Sequence, residues 1–456
     1  MGCQEHVHKL GYRTNQDIQK SKLNLEPLTG HPSKEYKKRI ADKSLHEQLE
    51  AAGIVLIQGP RWCGKTTTAK QAAASSIFLD NPALLRANLM LAETNPEVIL
   101  EGKVPRLIDE WQLAPTLWDA ARYVVSQRGM PGQFIFTGSA VPADKSAITH
   151  SGTGRFAWLT MRPMSLQESE DSNGSILLGD LFHTGRAAGI ASDIDLMRLA
   201  FLMCRGGWPG SLHLSEKASL MQADNYLDAV VNSDISRVDD TARNAGFAHK
   251  LLRSYSRYQG AQVPLTKIAE DIMAGGSNTF STDTLYDYVN ALKKIFVIED
   301  MEAWSPNLRS KTAIRTSDTR YFIDPSIATS ALGIGPDDLI KDLNTMGLVF
   351  ETLAVRDLRV YADALGGKVY HYRDKNGLEC DAVVHLRNGK YGLVEIKLGG
   401  DSLIESGART LKALASRIDT ERMNPPSFMM VLTGVGRYAY TREDGVVVVP
   451  VSALGV

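Results

Sequence analysis

The chain has few cysteines, no long apolar run and no excess of charge of either sign. Its four cysteines, Cys3, Cys63, Cys204 and Cys380, form no CxxC pair, which argues against a zinc cluster and against a disulfide framework. No stretch approaches the roughly 18 uninterrupted apolar residues of a membrane-spanning helix. These absences favour a soluble protein of the reducing cytoplasm with no membrane partner.

The charge balance and the length limit the possibilities further. The formal net charge is −1, so a nucleic-acid partner would have to be met by a local basic patch. Because 456 residues exceed what one hydrophobic core normally serves, we expect about two to four domains. The first thirty or so residues are polar, and we expect residues 1–33 to be flexible.

An apolar strand, a glycine-rich loop and a helix-like segment follow one another early in the chain. The strand is GIVLIQ (53–58), and the loop GPRWCGKTT (59–67) fits the pattern G-x-x-x-x-G-K-[ST]. Backbone N–H groups of such a loop cradle phosphates at the start of a helix, Lys65 reaches the β- and γ-phosphates, and the Thr66 hydroxyl holds Mg²⁺. A chance glycine turn is the alternative. The residues predicted to bind ATP here are Gly59, Pro60, Arg61, Cys63, Gly64, Lys65, Thr66 and Thr67.

Hydrolysis also requires an acid on a neighbouring strand, and RLIDE (106–110) supplies one. We expect Asp109 to complete the Mg²⁺ shell and Glu110 to polarise the attacking water. The alternative is a solvated strand end. With SIFLD (76–80), QFIFTGS (133–139) and helical patterns between them, these runs predict a parallel α/β sheet with both faces covered.

Three further polar residues are candidates for contact with the γ-phosphate. Thr137 and Ser139 end the strand of QFIFTGS, where a hydroxyl could sense that phosphate. Arg155 could stabilise charge within the chain or across the interface of a homo-oligomer, although a surface arginine is the commoner explanation.

The motifs GPRWCGKTTTA, LIDEW, FIFTGSA and GTGRFAWLTMRPMSLQES resemble prokaryotic AAA-type P-loop ATPases that carry a C-terminal domain similar to PD-(D/E)XK nucleases. The resemblance continues through CRGGWPGSL, DYVNALKKIFVIEDMEAWSPNLRSK and FIDPSIA. It implies an ATPase core (34–165), a helical connector (166–245), a winged-helix-like module (246–340) and an α/β restriction-endonuclease-like domain (341–456).

Carboxylates and a lysine cluster in LECDAVVHLRNGKYGLVEIKLG (378–399). Glu395 and Lys397 are two apart on one predicted strand and so face the same side. With Asp381 they form the set that a metal-dependent nuclease uses, in which acids hold Mg²⁺ or Mn²⁺ and a lysine steadies the water or the phosphate. Glu351, on a preceding amphipathic helix, matches the helix glutamate of that nuclease family and would be a further ligand. An ordinary hairpin with solvated charges is the alternative.

The loop of this hairpin decides whether the two acids can meet. A two-residue loop at Asn388-Gly389 would place Asp381 opposite Ile396, pointing away from Glu395. A three-residue loop at 387–389, with a bulge at Gly389, would place Asp381 opposite Glu395. We predict the three-residue loop.

The segment 246–340 has the helix and strand order of a winged helix-turn-helix, but it is not basic overall. It contains 10 basic and 11 acidic residues, and its predicted second helix carries Asp283 and Asp287, which would repel phosphates. Only Arg309, Lys311 and Arg315 resemble a wing that could touch a DNA backbone. DNA contact and a purely structural or protein-docking role both remain open.

Two functions are compatible with these motifs. The first is an ATP-driven protein that processes nucleic acid, with Mg-ATP hydrolysis at one end and a metal-dependent phosphodiesterase at the other. The second is a nucleotide-dependent switch or scaffold whose nuclease-like domain only binds a partner. A small-molecule kinase is a weaker third option, because no acceptor pocket is evident and the extra domains would have no role.

Overall fold

A sheet of five parallel strands forms the first part of the structure. The computed structural model describes residues 36–138, 152–239, 241–274, 280–305, 317–421 and 423–456. The strands are β1 (Ile54–Gln58), β2 (Ser75–Phe78), β3 (Arg106–Asp109), β4 (Phe134–Gly138) and β5 (Phe156–Thr160), in the order β2-β3-β4-β1-β5. Every neighbouring pair is parallel, so the predicted parallel sheet is confirmed. Residues 1–33, expected to be flexible, lie outside the described ranges.

Helices cover both faces of this first sheet, as the continuous apolar strands require. They are α1 (Ala41–Ala51), α2 (Lys65–Ala72), α3 (Leu85–Thr94), α4 (Pro96–Leu100) and α5 (Thr116–Arg128). Alternate residues of each strand serve opposite cores: Ile54 and Leu56 pack with α5, whereas Val55 and Ile57 pack with α1 and α2. Because all five strands are parallel, their carboxyl ends meet along one edge of the sheet.

The middle of the chain is mainly helical and has a core of its own. Its helices are α6 (Leu178–Thr184), α7 (Leu196–Arg205), α8 (Glu216–Ala229), α9 (Ile235–Arg237), α10 (Ala245–Arg257), α11 (Leu265–Ala274), α12 (Thr282–Lys294), α13 (Pro325–Leu332) and α14 (Pro336–Lys341). A five-residue π-helix, Val230–Asp234, joins α8 to α9. Buried residues of α8 and of α10 to α13 form one core, which also contains Trp208 and Phe322.

A long helix and a mixed sheet complete the chain. The elements are α15 (Leu343–Ala364), α16 (Asp401–Ala415) and the strands β8 (Gly367–Arg373), β9 (Glu379–Leu386), β10 (Tyr391–Lys397), β11 (Phe428–Thr433), β12 (Tyr438–Thr441) and β13 (Val447–Pro450). Strand β7 (Gly189–Ile190) joins their edge, giving the order β7-β12-β13-β11-β10-β9-β8. Strands β6 (Ile176–Leu177) and β14 (Leu454–Gly455) pair separately.

Packing is continuous through this part of the chain. Residues 38–456 form one compact unit. Buried residues between 166 and 204 share a core with α15 and the second sheet. The domain boundaries at 165, 245 and 340 stay predictions.

Candidate functional site

The glycine-rich loop lies between β1 and α2, at the carboxyl edge of the first sheet. Gly59 has φ = 153°, and a Cβ on it would lie 2.0 Å from the carbonyl oxygen of Met161. Gly64 caps α2 with φ = 100°, a left-handed conformation that side chains other than glycine disfavour. Both glycines of the motif are therefore required by the backbone path.

Lys65 is buried and bonded to its own loop. Its Nζ donates to the carbonyl oxygens of Gly59, at 3.0 Å, and Pro60, at 2.7 Å. The ammonium group is thus held over the concave side of the loop, and a phosphate oxygen would replace these two carbonyls as its partner.

A carboxylate and two hydroxyls meet beside Lys65. Thr66 Oγ1 donates to Asp109 Oδ1 at 2.8 Å, and Thr137 Oγ1 donates to the same oxygen. Asp109 and Thr137 are direct partners on β3 and β4, so the parallel register brings them together. Hydroxyl and carboxylate oxygens suit a hard cation such as Mg²⁺, which takes its remaining ligands from phosphates and water. The predicted Ser139 lies outside the described residues.

Glu110 follows Asp109 in a left-handed conformation, with φ = 56° and ψ = 42°. Its Oε2 accepts a hydrogen bond from Gln112 Nε2. Burial raises the pKa of Glu110, against the opposing effects of the Gln112 hydrogen bond and of Lys65. The carboxylate therefore lies within the electrostatic reach of Lys65.

Arg155 lies away from the side chains around the glycine-rich loop. It directly precedes β5, so it is at the amino edge of the parallel sheet, whereas the glycine-rich loop is at the carboxyl edge. Its Nε donates to Ser126 Oγ on α5 at 3.2 Å, and it is exposed. The role expected for Arg155 within its own chain is therefore not supported by its position; a role across an oligomer interface stays a prediction.

The C-terminal hairpin has the three-residue loop that was predicted. Leu386 N donates to the carbonyl of Lys390, enclosing residues 387–389, and Gly389 has φ = 84°. Strands β9 and β10 pair through Val394 opposite Ala382, so the next position in this register sets Asp381 opposite Glu395. The prediction for the loop is confirmed.

The four predicted residues of this region come together. Lys397 Nζ lies 3.0 Å from Asp381 Oδ2 and 2.7 Å from Glu395 Oε2. Asp381 Oδ2 also accepts from the backbone N–H of Ile396 at 2.7 Å. Glu351, on α15, accepts from the hydroxyl of Tyr321. We call Glu351, Asp381, Glu395 and Lys397 the C-terminal cluster.

The middle of the chain covers part of this cluster. A Cβ on Gly260 would lie 2.8 Å from Glu351 Oε2, so that backbone rests against the carboxylate. Burial, followed by repulsion from Asp381, raises the pKa of Glu351 to about 8 and that of Glu395 to about 7. For Lys397, burial lowers the pKa, but Asp381 and Glu395 outweigh it and raise the pKa overall.

The C-terminal cluster has the donor chemistry of a Mg²⁺ or Mn²⁺ site, but its present geometry does not fit one. Lys397 bridges two of the carboxylates and Tyr321 holds the third. Within the described part of the chain, no three acidic, histidine or cysteine side chains are arranged to hold a metal ion.

Comparisons with known proteins address the first site directly. Residues 51–170 match the family described as an AAA domain. Those residues are an AAA-type P-loop ATPase domain. Residues 197–338 and 346–454 of this ATP-binding ATPase match two families described as domains of unknown function. Among the residues the structure describes, no helix has the length and apolar character needed to cross a membrane.

Relatives of the whole chain are distant. Uncharacterized proteins of Mycobacterium bovis and Mycobacterium tuberculosis are each 24% identical over 420 residues, covering 91% of this chain and 83% of the relative. The Walker-type ATPase of Pyrococcus abyssi is 14% identical, covers 64% of this chain and 94% of its own, and gives a TM-score of 0.37. The ORC2 protein of Aeropyrum pernix is 12% identical, covers 69% and 93%, and gives a TM-score of 0.27.

Sequence reasoning missed an arginine that braces the loop of the AAA domain from behind. Arg39 donates to the carbonyl of Cys63 at 2.7 Å, to Glu168 Oε1 at 2.9 Å and to the carbonyl of Arg162 at 2.8 Å. It lies just before α1, and nothing in its local pattern distinguishes it from a surface arginine.

Two loop residues of the AAA domain reach the middle of the chain. Arg61 Nη1 lies 2.6 Å from Asp234 Oδ1, in the π-helix. The ring of Trp62 lies 5.6 Å from that of Tyr226, which in turn lies 4.2 Å from that of Trp208. The loop predicted to bind phosphate therefore also contacts the core that follows it.

Proposed function

We propose that the chain hydrolyses ATP at the glycine-rich loop, with Lys65, Thr66, Asp109 and Glu110 in distinct roles. The observation that carries this proposal is the bond from Thr66 to Asp109, which joins the loop to the end of β3. Thr66 and Asp109 would hold Mg²⁺, which would supply positive charge to neutralise the phosphates. Thr137 fixes the rotation of Asp109 through its own hydrogen bond.

The chain's own residues then divide the remaining work. Lys65 exchanges the carbonyls of Gly59 and Pro60 for phosphate oxygens, a charge-assisted contact that is stronger than the ones it replaces. Glu110 accepts a proton from the attacking water, and its raised pKa makes the carboxylate a stronger base for that step.

Steady-state ATP hydrolysis tests these roles. Glu110→Gln should lower kcat by roughly 10²- to 10⁴-fold while ATP still binds, because only the base is removed. Lys65→Ala should abolish binding of the nucleotide. Glu93→Gln and Lys43→Ala are the matched controls: they make the same substitutions as Glu110→Gln and Lys65→Ala, but at exposed residues, and should leave kcat unaltered. Full activity in Glu110→Gln would contradict the proposal.

A second function, cleavage of a DNA phosphodiester at the C-terminal cluster, is favoured by the hairpin register. The register brings Asp381 and Glu395 together with Lys397, as cleavage would require. As it stands, however, the cluster does not fit a metal ion.

The rival function, a nucleotide-dependent switch, is favoured by contacts of the middle of the chain. That part binds the glycine-rich loop through Asp234 and Tyr226, and it covers Glu351 through Gly260 and Tyr321. A conformational change of the loop on binding ATP would therefore be transmitted to the middle of the chain, which also covers Glu351 of the C-terminal cluster.

The proposed winged-helix-like module is supported by element order. Helices α10, α11 and α12 precede two antiparallel bridges, Ile298 to Phe322 and Met301 to Thr319. Asp287, expected to repel phosphates, is paired with Arg243 at 2.9 Å. The wing candidates Arg309, Lys311 and Arg315 lie outside the described residues.

Nicking of supercoiled plasmid separates the two C-terminal functions. Wild type, Asp381→Ala and Lys65→Ala are incubated in Mg²⁺ and in Mn²⁺, with and without ATP. Nicking that is lost in Asp381→Ala establishes the phosphodiesterase, and nicking that also needs Lys65 shows control by ATP. Absence of nicking in every condition, with ATP hydrolysis unaffected by DNA, supports the switch.

A further inference from the structure

The turn after β3 folds a glutamine back onto the proposed catalytic glutamate. Glu110 is left-handed, and a 3₁₀ turn, Trp111–Leu113, follows it. Leu113 N donates to the carbonyl of Glu110 at 3.0 Å, which closes the turn. Within it the Gln112 side-chain amide reaches Glu110 Oε2. The unusual backbone of Glu110 thus places its carboxylate beside this amide.

The Gln112 amide is held on its other side by the end of β4. A Cβ on Gly138 would lie 2.5 Å from Gln112 Oε1 and 3.1 Å from Trp111 Nε1. Gly138 directly follows Thr137, which donates to Asp109. The amide is therefore packed between the Glu110 carboxylate and the strand end that orients Asp109.

The orientation of this amide follows from its neighbours. An ionised carboxylate only accepts hydrogen bonds, so the NH₂ group of Gln112 must face Glu110 and the carbonyl oxygen must face Gly138. That carbonyl oxygen is buried and has no hydrogen-bond partner among the described residues. A buried acceptor without a hydrogen-bond partner is unfavourable. The orientation of the Gln112 amide is therefore stabilised by its hydrogen bond to Glu110 and not by any bond to its carbonyl oxygen.

We propose that Gln112 is a positioning residue for ATP hydrolysis, an inference that rests on the function proposed above. Its amide holds Oε2 of Glu110 and thereby turns Oε1 toward the attacking water. In the reaction, the water oxygen bonds to the γ-phosphorus, one water proton passes to Glu110, and the bond to the β–γ bridging oxygen breaks. Its electron pair leaves on ADP, and Glu110 later returns the proton to solvent.

The test separates positioning from folding. Gln112→Met keeps the length of the side chain but removes the amide, and Gln112→Asn keeps the amide on a shorter side chain. We expect kcat to fall about 10- to 100-fold in Gln112→Met and less in Gln112→Asn, as misplacement of a catalytic group predicts. The dissociation constant of a fluorescent ATP analogue should stay within about threefold of wild type, and the melting temperature of the nucleotide-free protein within about 2 °C.

A double variant shows whether Gln112 acts through Glu110. If it does, adding Gln112→Met to Glu110→Gln should lower kcat no further than Glu110→Gln does alone. A Gln112→Met enzyme with kcat within threefold of wild type, a full additional loss in the double variant, or a parallel loss of binding and melting temperature would overturn the positioning role. Any of these results would leave the proposed hydrolysis intact, provided that Glu110→Gln alone is inactive.

Discussion

Replacing Arg356 by leucine should destabilise the whole compact unit, because Arg356 joins two buried carboxylates. Its Nη1 lies 2.9 Å from Asp324 Oδ2 and its Nη2 lies 2.8 Å from Asp357 Oδ1. Both aspartates are fully buried and the arginine is 3% exposed. Asp324 also accepts from Gly207 N, and Asp357 from Leu166 N. The network therefore ties α15 to three earlier segments.

The expected loss can be worked from this burial. Removing one partner of a buried ion pair costs about 3 to 5 kcal/mol, and Arg356→Leu strands two carboxylates, which favours the upper end. An unfolding entropy of about 2.1 cal/mol/K per residue gives roughly 0.9 kcal/mol/K for residues 38–456. The melting temperature should then fall by roughly 5 °C at pH 8.

The loss should shrink on acidification. Burial raises the pKa of Asp357 to about 6 even with Arg356 present, and loss of the arginine should raise it further. The folded variant then binds protons that the unfolded chain does not, so its stability rises as the pH falls through that range. The deficit at pH 5.5 should be smaller than at pH 8.

Differential scanning calorimetry of wild type, Arg356→Leu and a control measures both effects. Arg387→Leu is the control, because Arg387 is exposed in the hairpin loop and should change the melting temperature by less than about 1 °C. A loss below about 1 °C in Arg356→Leu, or a deficit that grows on acidification, would refute the reasoning.

Three further predictions concern a histidine, a glycine and the nucleotide. Burial lowers the pKa of His371 to about 4, below its value in the unfolded chain, so the unfolded chain binds a proton more readily on acidification. Lowering the pH from 7 to 4.5 should therefore cost the wild type about 2 kcal/mol of stability. The His371→Gln variant should not show this loss when melting temperature is measured against pH. A Cβ on Gly347, within α15, meets no atom within 4 Å, so Gly347→Ala should stabilise by about 0.5 to 1 kcal/mol and raise the melting temperature by about 1 °C. Mg-ATP at about 100 times its dissociation constant should raise the melting temperature by about 3 °C, but not that of Lys65→Ala, and removal of Mg²⁺ should reduce the shift.

The sequence predicted those parts of the sites that depend on local pattern. The glycine-rich loop was found because its glycines, lysine and threonine must stand at fixed spacing around a phosphate. The hairpin loop was found because a two-residue loop would put Asp381 and Glu395 on opposite faces, whereas a three-residue loop brings them to one face. The place of Arg155 could also have been inferred, since a residue that precedes a parallel strand lies at the edge of the sheet away from the glycine-rich loop; its role across an oligomer interface stays a prediction.

Contacts between distant segments could not be predicted in the same way. Strand β7 is two residues long, too short for an alternating pattern, yet its Ile190 pairs with Tyr438 across the chain. Arg61 and Asp234 are 173 residues apart, and their charges alone do not indicate that they pair. The contact of Gln112 with Glu110 could have been predicted from the sequence, because a side chain two residues beyond Glu110 in a tight turn can fold back onto it.

The position of Lys397 sets the physical difference between the two C-terminal functions. As it stands, its ammonium is paired with both Asp381 and Glu395, so a divalent cation could enter only if the lysine withdrew to the phosphate or the water. Glu351 would also have to leave Tyr321, which belongs to the middle of the chain. Cleavage therefore requires a rearrangement of that middle part, whereas a switch requires only that its contacts with the glycine-rich loop and with Glu351 change together. Because that same part contacts the loop through Asp234, a rearrangement driven by nucleotide binding would make nicking depend on Lys65.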